Sequence, residues 1–261
     1  MRLKFLILLM VIACALNATA AKADELDDIL KRKKVLIAVQ TDLPPYDTLD
    51  ADNQPVGYDI DVAKRIASDL GVELELVIVS GANRIPTLVS GKVDMVVATL
   101  SPTPQRAAVI GLSSPYLAYS QYVIGPSAKS VKSLDDLKSL RVGVTRGTLQ
   151  DDQITRRAPK GTQIMRFEDD SSTAQALLSG QIDASAWGKS INDEIIKKNP
   201  GSNLENKFSL NSLYGSIGLR RGEPDLLRWI NTWIFVRKQD GWLSDTHKKW
   251  VGEDLPALPA F

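Results

Sequence analysis

The chain is almost empty of cysteine and histidine. Its 261 residues contain one cysteine, Cys14, and one histidine, His247. A lone cysteine closes no intramolecular disulfide. A lone histidine, set in a Lys-rich terminal segment and read as solvated, assembles no Ser–His–acid or Cys–His pair, and no cluster has metal-ligand spacing. The glycines form no phosphate-cradling loop of the P-loop or dinucleotide type, so neither metal nor cofactor is expected. Charge of one sign is also missing: 32 Lys and Arg face 31 Asp and Glu, a formal charge of +1. That balance argues against nucleic acid or an anionic membrane as partner. An enzyme would have to work with carboxylates alone, and these show no telling pairing.

The first 23 residues have the organisation of an export signal. MRLK is a basic start, Phe5 to Ala15 an apolar core, and Ala21-Lys22-Ala23 a small-x-small cleavage site. The apolar run is too short to span a membrane. Val11-Ile12-Ala13-Cys14 also resembles a lipobox, so a lipid-anchored form is the alternative to a secreted one. Cleavage after Ala23 leaves 29 basic against 31 acidic residues and no cysteine.

Past a charged linker the pattern alternates. VLIAVQ (35–40) reads as a buried strand running into Thr41-Asp42-Leu43-Pro44-Pro45-Tyr46, where two prolines forbid a helix. Gly57 then opens GYDIDVAKRIASDL, with Asp59 and Asp61 in the first turn of a helix, where carboxylates oppose the macrodipole. Val62, Ile66 and Leu70 recur every four residues to make an apolar stripe, and Gly71 stops the helix before a strand at 72–79. A short helix (82–90) and a strand (93–100) follow. A β-rich stretch around Tyr119–Gly125 leads to Pro126-Ser127, and the alternation restarts. Ser133, with Asp136 three residues on, caps a short helix; strands are expected at 141–147, 162–167 and 181–187, and helices from Thr148, at 171–179 and at 190–198. Strand–helix alternation implies an α/β fold with largely parallel sheets. Leu88–Asp94 (LVSGKVD) echoes Leu177–Asp183 (LLSGQID) at matching places in the two halves, which reads as two similarly built lobes. In the tail, Leu226, Ile230 and Trp233 share one face of a helix, and Trp242 and Trp250 anchor a second.

The order Gly–aromatic–acidic–aliphatic–acidic–aliphatic at 57–62, followed by Ile66-Ala67 and Leu70, resembles the signature of the family 3 extracellular solute-binding proteins, the amino-acid receptors of ABC importers. The resemblance runs from about Val35 to Val251. It implies the two-lobed type II periplasmic-binding-protein fold, with residues 30–119 and 216–261 in one lobe, 123–213 in the other, and a two-strand hinge near Tyr119–Val123 and Leu213–Ile217. It further implies a periplasmic monomer that closes on a small carboxylate-bearing solute, a polar amino acid, and presents it to an ABC permease. Relatives of these receptors include dehydratases acting on prephenate-like dicarboxylates, which makes an enzyme on the same scaffold the rival reading.

Binding residues can be placed on that frame. Ligands of open α/β sheets sit at the strand ends. There Thr99, Ser101 and Arg106 supply two hydroxyls and a planar guanidinium, a set suited to a carboxylate; the alternative is a loop hydroxyl and a surface arginine. The resemblance implies that Arg106 clamps an α-carboxylate, with Thr99 and Ser101 beside it. Gly147-Thr148-Leu149, at a strand-to-helix junction, offers free amides as an anion site; Thr148 adds a hydroxyl, and Gln150 is a lesser candidate. Leu149 stands where many relatives carry Thr or Ser. Arg84, in Asn83-Arg84-Ile85-Pro86, resembles the side-chain reader of glutamate/aspartate receptors, although a solvent-facing arginine is the alternative. Asp170 stands where those receptors place a positively inclined residue, which counts against an acidic ligand.

The sharpest departure is Gly188. Most relatives carry at this place the aspartate that holds the ligand's α-ammonium. Asp170, Asp42 and Asp193 are the possible substitutes, Asp170 the best placed; alternatively the ligand lacks that ammonium. Trp187 is a pocket wall or a core residue, and Leu43 and Tyr46 are candidate apolar or aromatic walls.

Overall fold

The computed structural model describes residues 24–259. The export-signal reading, the lipobox and Cys14 lie outside the described residues. Asp24 opens the described chain as a double cap. Its Oδ1 accepts the Leu26 amide at 3.1 Å, starting helix α1 (Glu25–Arg32), and both its oxygens accept the Asp225 and Leu226 amides at the start of α8 (Pro224–Gln239). The charged linker read from sequence is therefore mostly helix.

Strand β1 (Lys34–Val39) pairs in parallel with β4 (Glu73–Ile78) and with β5 (Met95–Val96). Helix α2 (Tyr58–Leu70) connects β1 to β4 and buries Ile60, Val62, Ala63, Ile66 and Ala67 against the sheet, as its four-residue repeat requires. Between β1 and α2 the chain makes a tight turn, with Leu43 and Asp47 bridged, and a two-strand ribbon of β2 (Thr48–Leu49) and β3 (Pro55–Val56). β5 is much shorter than the expected strand at 93–100. Thr99 turns it away with a φ of 45°, and the Thr99 amide goes to Asp59 Oδ2 at 2.7 Å instead of to a neighbouring strand. Helix α3 (Arg84–Val89), preceded by a 3₁₀ turn at Gly81–Asn83, joins β4 to β5.

The two lobes are joined by two 16-residue strands, β6 (Gly111–Pro126) and β10 (Leu204–Leu219), which pair antiparallel along their length, with register shifts between Asn206 and Asn211 and between Gly215 and Gly218. At one end β10 pairs with β5, and at the other β6 pairs with β9 (Ser185–Gly188), giving the order β4-β1-β5-β10-β6-β9. The sheets are thus parallel except where these crossing strands enter. In the second lobe β7 (Arg141–Thr145) pairs in parallel with β8 (Gln163–Phe167), and a bridge from Val142 to Ala184 ties β7 to the chain entering β9. Helices α5 (Leu149–Arg157), α6 (Asp170–Leu178) and α7 (Lys189–Lys198) follow β7, β8 and β9. The capping box of Ser133 and Asp136 forms as its spacing requires, at the 3₁₀ helix Leu134–Leu137.

The tail packs on the first lobe. α8 buries Leu226, Ile230 and Trp233, and α9 (Trp242–Val251) lies on α2 through Trp250 Nε1 to Asp61 Oδ2 at 2.7 Å. His247 corrects the sequence reading. It is only 2 % exposed, sits edge-on to Tyr58 and hydrogen-bonds Glu253 O at 2.8 Å, and burial pushes its pKa down. The lysines beside it, Lys248 and Lys249, take the solvated face.

Candidate functional site

The cleft lies where strands end, and each wall has a local cause. On the first lobe a short helix, α4 (Pro104–Ala107), is capped by Thr103, whose Oγ1 accepts the Arg106 amide at 3.1 Å. This sets Arg106 beside the loop of Thr99 and Ser101. Its Nη1 donates to Ser101 O at 2.6 Å, and its Nη2 crosses the cleft to Gly147 O at 3.1 Å. Burial, with Arg84 close by, lowers the Arg106 pKa to about 10, still far above neutrality. Arg84 is 4 % exposed; Nε and Nη1 donate to the carbonyls of Gly81 and Ala98 at 2.9 and 2.8 Å. The solvent-facing alternative is thereby excluded, and Arg84 lines the cleft cavity.

Under this wall lies an acidic pair. Asp59, placed by its position to act as a helix-dipole carboxylate, is instead fully buried and holds the Thr99 amide and, at 2.6 Å, the Tyr116 hydroxyl. Burial lifts its pKa to about 6. Asp47 beside it is pushed well above the carboxylate range by burial and by the charge of Asp59.

The second lobe contributes the turn after β7. Gly147, at φ +73°, passes so close to Ala82 of the first lobe that a Cβ would sit 3.2 Å from its Cα. Glycine alone meets both demands. Thr148 caps α5: its hydroxyl donates to Thr145 O at 2.7 Å and accepts the Asp151 amide at 3.2 Å. That hydroxyl is therefore committed within the turn, and the amides of Leu149 and Gln150 are the donors this N-terminus presents.

Asp170, first residue of α6, is 5 % exposed. Its Oδ1 accepts from Thr145 Oγ1 at 2.6 Å and from Trp187 Nε1 at 2.8 Å, and its amide donates to Asp42 Oδ2 of the first lobe at 2.9 Å. Burial and the neighbouring Asp42 raise its pKa to about 6, against the lowering pull of these two donors and of Arg84.

One cavity collects Arg84, Thr99, Ser101, Arg106, Thr148, Leu149, Asp170 and Trp187, together with Leu43 and Gln150. Trp187 combines the two roles read for it, being 3 % exposed and a wall of the cavity. Gly147, Asp193, Asp42, Tyr46 and Gly188, also named from sequence, do not line it. Asp42 stands behind Asp170. Tyr46 lies toward the hinge, its hydroxyl 3.0 Å from Ser190 Oγ across the lobes. Gly188 has no side chain to offer, and Tyr119 explains why: a Cβ there would lie 3.0 Å from Tyr119 Cδ2 and 3.4 Å from Ile191 Cδ1. The cavity also contains residues that sequence reasoning passed over: Gln40, Thr145, Tyr119, Ala186 and Ile191. Gln40 and Thr145 stand at the ends of β1 and β7, where the strand-end rule, applied to every strand, finds them. Tyr119 carries no such signal, because only pairing of β6 with β9 sets it over Gly188. Among the described residues no group of three or more His, Cys, Asp or Glu is arranged to hold a metal ion, and no helix is long and apolar enough to cross a membrane.

Comparison with known proteins gives this cleft its setting. The chain is 30% identical over 239 residues to the ABC transporter glutamine-binding protein GlnH of Bacillus subtilis, covering 90% of this chain and 87% of that one. An ancestral arginine-binding protein bound to arginine superposes with a TM-score of 0.81 at 31% identity, over 84% of this chain and 98% of that one. The ancestral amino acid-binding protein AncCDT-1, a precursor of cyclohexadienyl dehydratase, matches with a TM-score of 0.79 at 29% identity, over 87% and 99%. The model of the bacterial extracellular solute-binding proteins, family 3, matches residues 35–253, and the chain belongs to that family.

Proposed function

We propose that this protein is the substrate-binding protein of an amino-acid ABC transporter, and that it takes the ligand's α-carboxylate between Arg106 and the Gly147–Gln150 turn. The observation that carries this reading is the meeting of a guanidinium from one lobe with a helix N-terminus from the other over a single cavity. Both favour an anion, and together they favour it only when the lobes are closed, so the ligand shifts the population toward closure. Thr99 and Ser101 flank the carboxylate; Arg84 and Gln150 face the rest of the ligand; Leu43, Trp187 and Leu149 form its walls. The lobes divide in β6 between 119 and 123 and in β10 between 213 and 216, where register shifts interrupt the pairing.

The protein acts as a monomer, is exported by residues 1–23 to the periplasm, and delivers its ligand to a membrane permease. It binds without turnover. Prephenate and arogenate incubated with it should be recovered unchanged, and accumulation of a dehydrated product would establish the enzyme instead.

The receptor reading is tested by thermal unfolding against L-glutamine, L-arginine, L-cystine, L-histidine and the remaining proteinogenic amino acids. A ligand at a thousand times its Kd adds about 4 kcal/mol, and for a chain of this size each kcal/mol moves Tm by about 2–4 °C. A shift of that order with one amino acid, lost in Arg106→Ala, is the expected result. No shift with any of them would overturn the amino-acid assignment.

A further inference from the structure

We propose that Asp170 holds the ligand's ammonium, and that Tyr119, packed over Gly188, closes the neighbouring part of the cleft wall to any other carboxylate. The inference rests on the amino-acid reading above and adds to it the identity of the cationic contact.

Elimination leads to Asp170. Asp193 stands outside the cavity, half exposed, paired with Lys189 at 2.6 Å and accepting from Asn206 Nδ2 at 2.7 Å. Asp42 does not line the cavity, and both its oxygens are engaged, by Gln40 Nε2 at 3.3 Å and by the Asp170 amide. Asp170 is the one carboxylate among the described residues that line the cavity. Its Oδ1 is saturated by Thr145 and Trp187, which fixes the carboxylate plane. Its Oδ2 has only a long contact, 3.5 Å, from Gln40 Nε2. A buried carboxylate with one oxygen fixed and the other unfilled is short of one donor, and an ammonium supplies it.

Packing at position 188 favours the same assignment. At 188 an alanine would already require Tyr119 or Ile191 to yield a few tenths of an ångström, and an aspartate more. The Tyr119 ring, packed against Tyr46 at 5.9 Å, fills that space, and its hydroxyl lies 3.5 Å from Ser101 Oγ. The cleft face of β9 is therefore closed to a carboxylate, and α6 has one to offer a short way along the same wall.

The test pairs each amino acid with its deaminated analogue: L-glutamine with 4-carbamoylbutanoate, L-glutamate with glutarate, L-arginine with 5-guanidinopentanoate. Titration calorimetry on the purified protein gives the affinity ratio within a pair. Asp170→Asn is the informative variant, because its Oδ1 still accepts from Thr145 and Trp187. For the pair that binds, the ratio in favour of the amino acid should fall by about 30-fold or more in this variant, with the analogue's own affinity within about threefold. In the unchanged protein the ratio should also fall about fourfold between pH 7.5 and 5.5, as a carboxyl with a pKa of about 6 takes up its proton. Asp59 titrates in the same range, but it lies under Thr99 and acts on both members of a pair alike; Asp42, Arg84, Arg106 and Tyr119 are the other ionisable groups around the site. A ratio unchanged in the variant and flat with pH would overturn the assignment while leaving the receptor reading intact. A protein that binds the analogues as well as the amino acids would do the same. Failure of the unchanged protein to bind these and every other amino acid of the thermal panel would sink the receptor reading and this inference with it.

Discussion

The two lobes use one device in the same place. In the first, Asp94 donates its amide to Leu36 O at 2.8 Å and accepts the Leu36 amide on Oδ2 at 2.7 Å; in the second, Asp183 donates to Arg141 O at 2.7 Å and accepts the Arg141 amide on Oδ2 at 2.9 Å. Each aspartate stitches the strand after a Gly-terminated helix to the first strand of its lobe, and each carries a basic partner, Arg32 for Asp94 and Arg141 with Lys129 for Asp183. The echo LVSGKVD/LLSGQID is thus a structural repeat. Where the lobes differ is at the opposite ends of the strands. The first lobe turns two guanidiniums into the cleft, and the second turns in a helix N-terminus and one carboxylate. A scaffold kept the same while its cleft loops diverge in charge yields a site that is complete only when the lobes meet.

That contrast can be broken most severely at Arg106. Arg106→Ala removes the carboxylate clamp proposed for the first lobe, and Kd for any carboxylate ligand should rise by about 100-fold, near 3 kcal/mol. Arg106→Lys retains the charge without the planar fork and should recover only part of this. Calorimetry reads both, and an unaffected Kd would remove Arg106 from the site.

The repeated device makes the next comparison. Asp94→Ala and Asp183→Ala each leave a strand amide without its acceptor. The more buried Asp94 should cost about 2–3 kcal/mol and the more solvated Asp183 about 1–2 kcal/mol in urea unfolding. The reverse order would mean that burial does not set the difference.

Acid distinguishes the cleft carboxylate from the scaffold one. Burial raises Asp170 to about 6, so its ionisation opposes folding above that pH, and the opposition is gone below the ordinary aspartate value. Asp170→Asn should therefore be more stable than the unchanged protein by roughly 2–3 kcal/mol at pH 7.5, and the advantage should vanish by about pH 3. The signs are opposite for Asp183, whose bonds to Arg141 and Lys129 hold its pKa far below the usual range. Its stabilisation is present above the ordinary aspartate value and is lost as pH falls below it. The differences between variant and parent isolate each group from His247, which burial shifts downward and which therefore opposes folding in acid.

The smallest effects concern the caps. Thr148→Ala, at the head of the nine-residue α5, should cost about 1 kcal/mol, and Thr103→Ala, heading the single turn of α4, less. Thr103→Ala should nonetheless weaken ligand binding, because the Arg106 amide is what that hydroxyl holds. Binding by Thr103→Ala equal to that of the unchanged protein would separate the cap from the clamp.

What the sequence by itself determined are the features whose causes lie within a few residues. Gly57 and Gly71 bound α2 around a four-residue apolar repeat, Ser133 and Asp136 form a capping box, and the echoed helix ends mark two lobes. The strand-end loops of Thr99, Ser101 and Arg106 and of Gly147 and Thr148 were legible as well, because strand termini and helix starts have local signatures. Only the tertiary structure decided the rest. Tyr119 covers Gly188 from 69 residues away, His247 enters the core beside Tyr58, Asp59 leaves the helix surface to hold Thr99, and β5 ends early for that bond. Each depends on which distant side chain fills a space or accepts a buried donor. Propensity and periodicity describe a segment's own preferences, and the partners arrive with the packing.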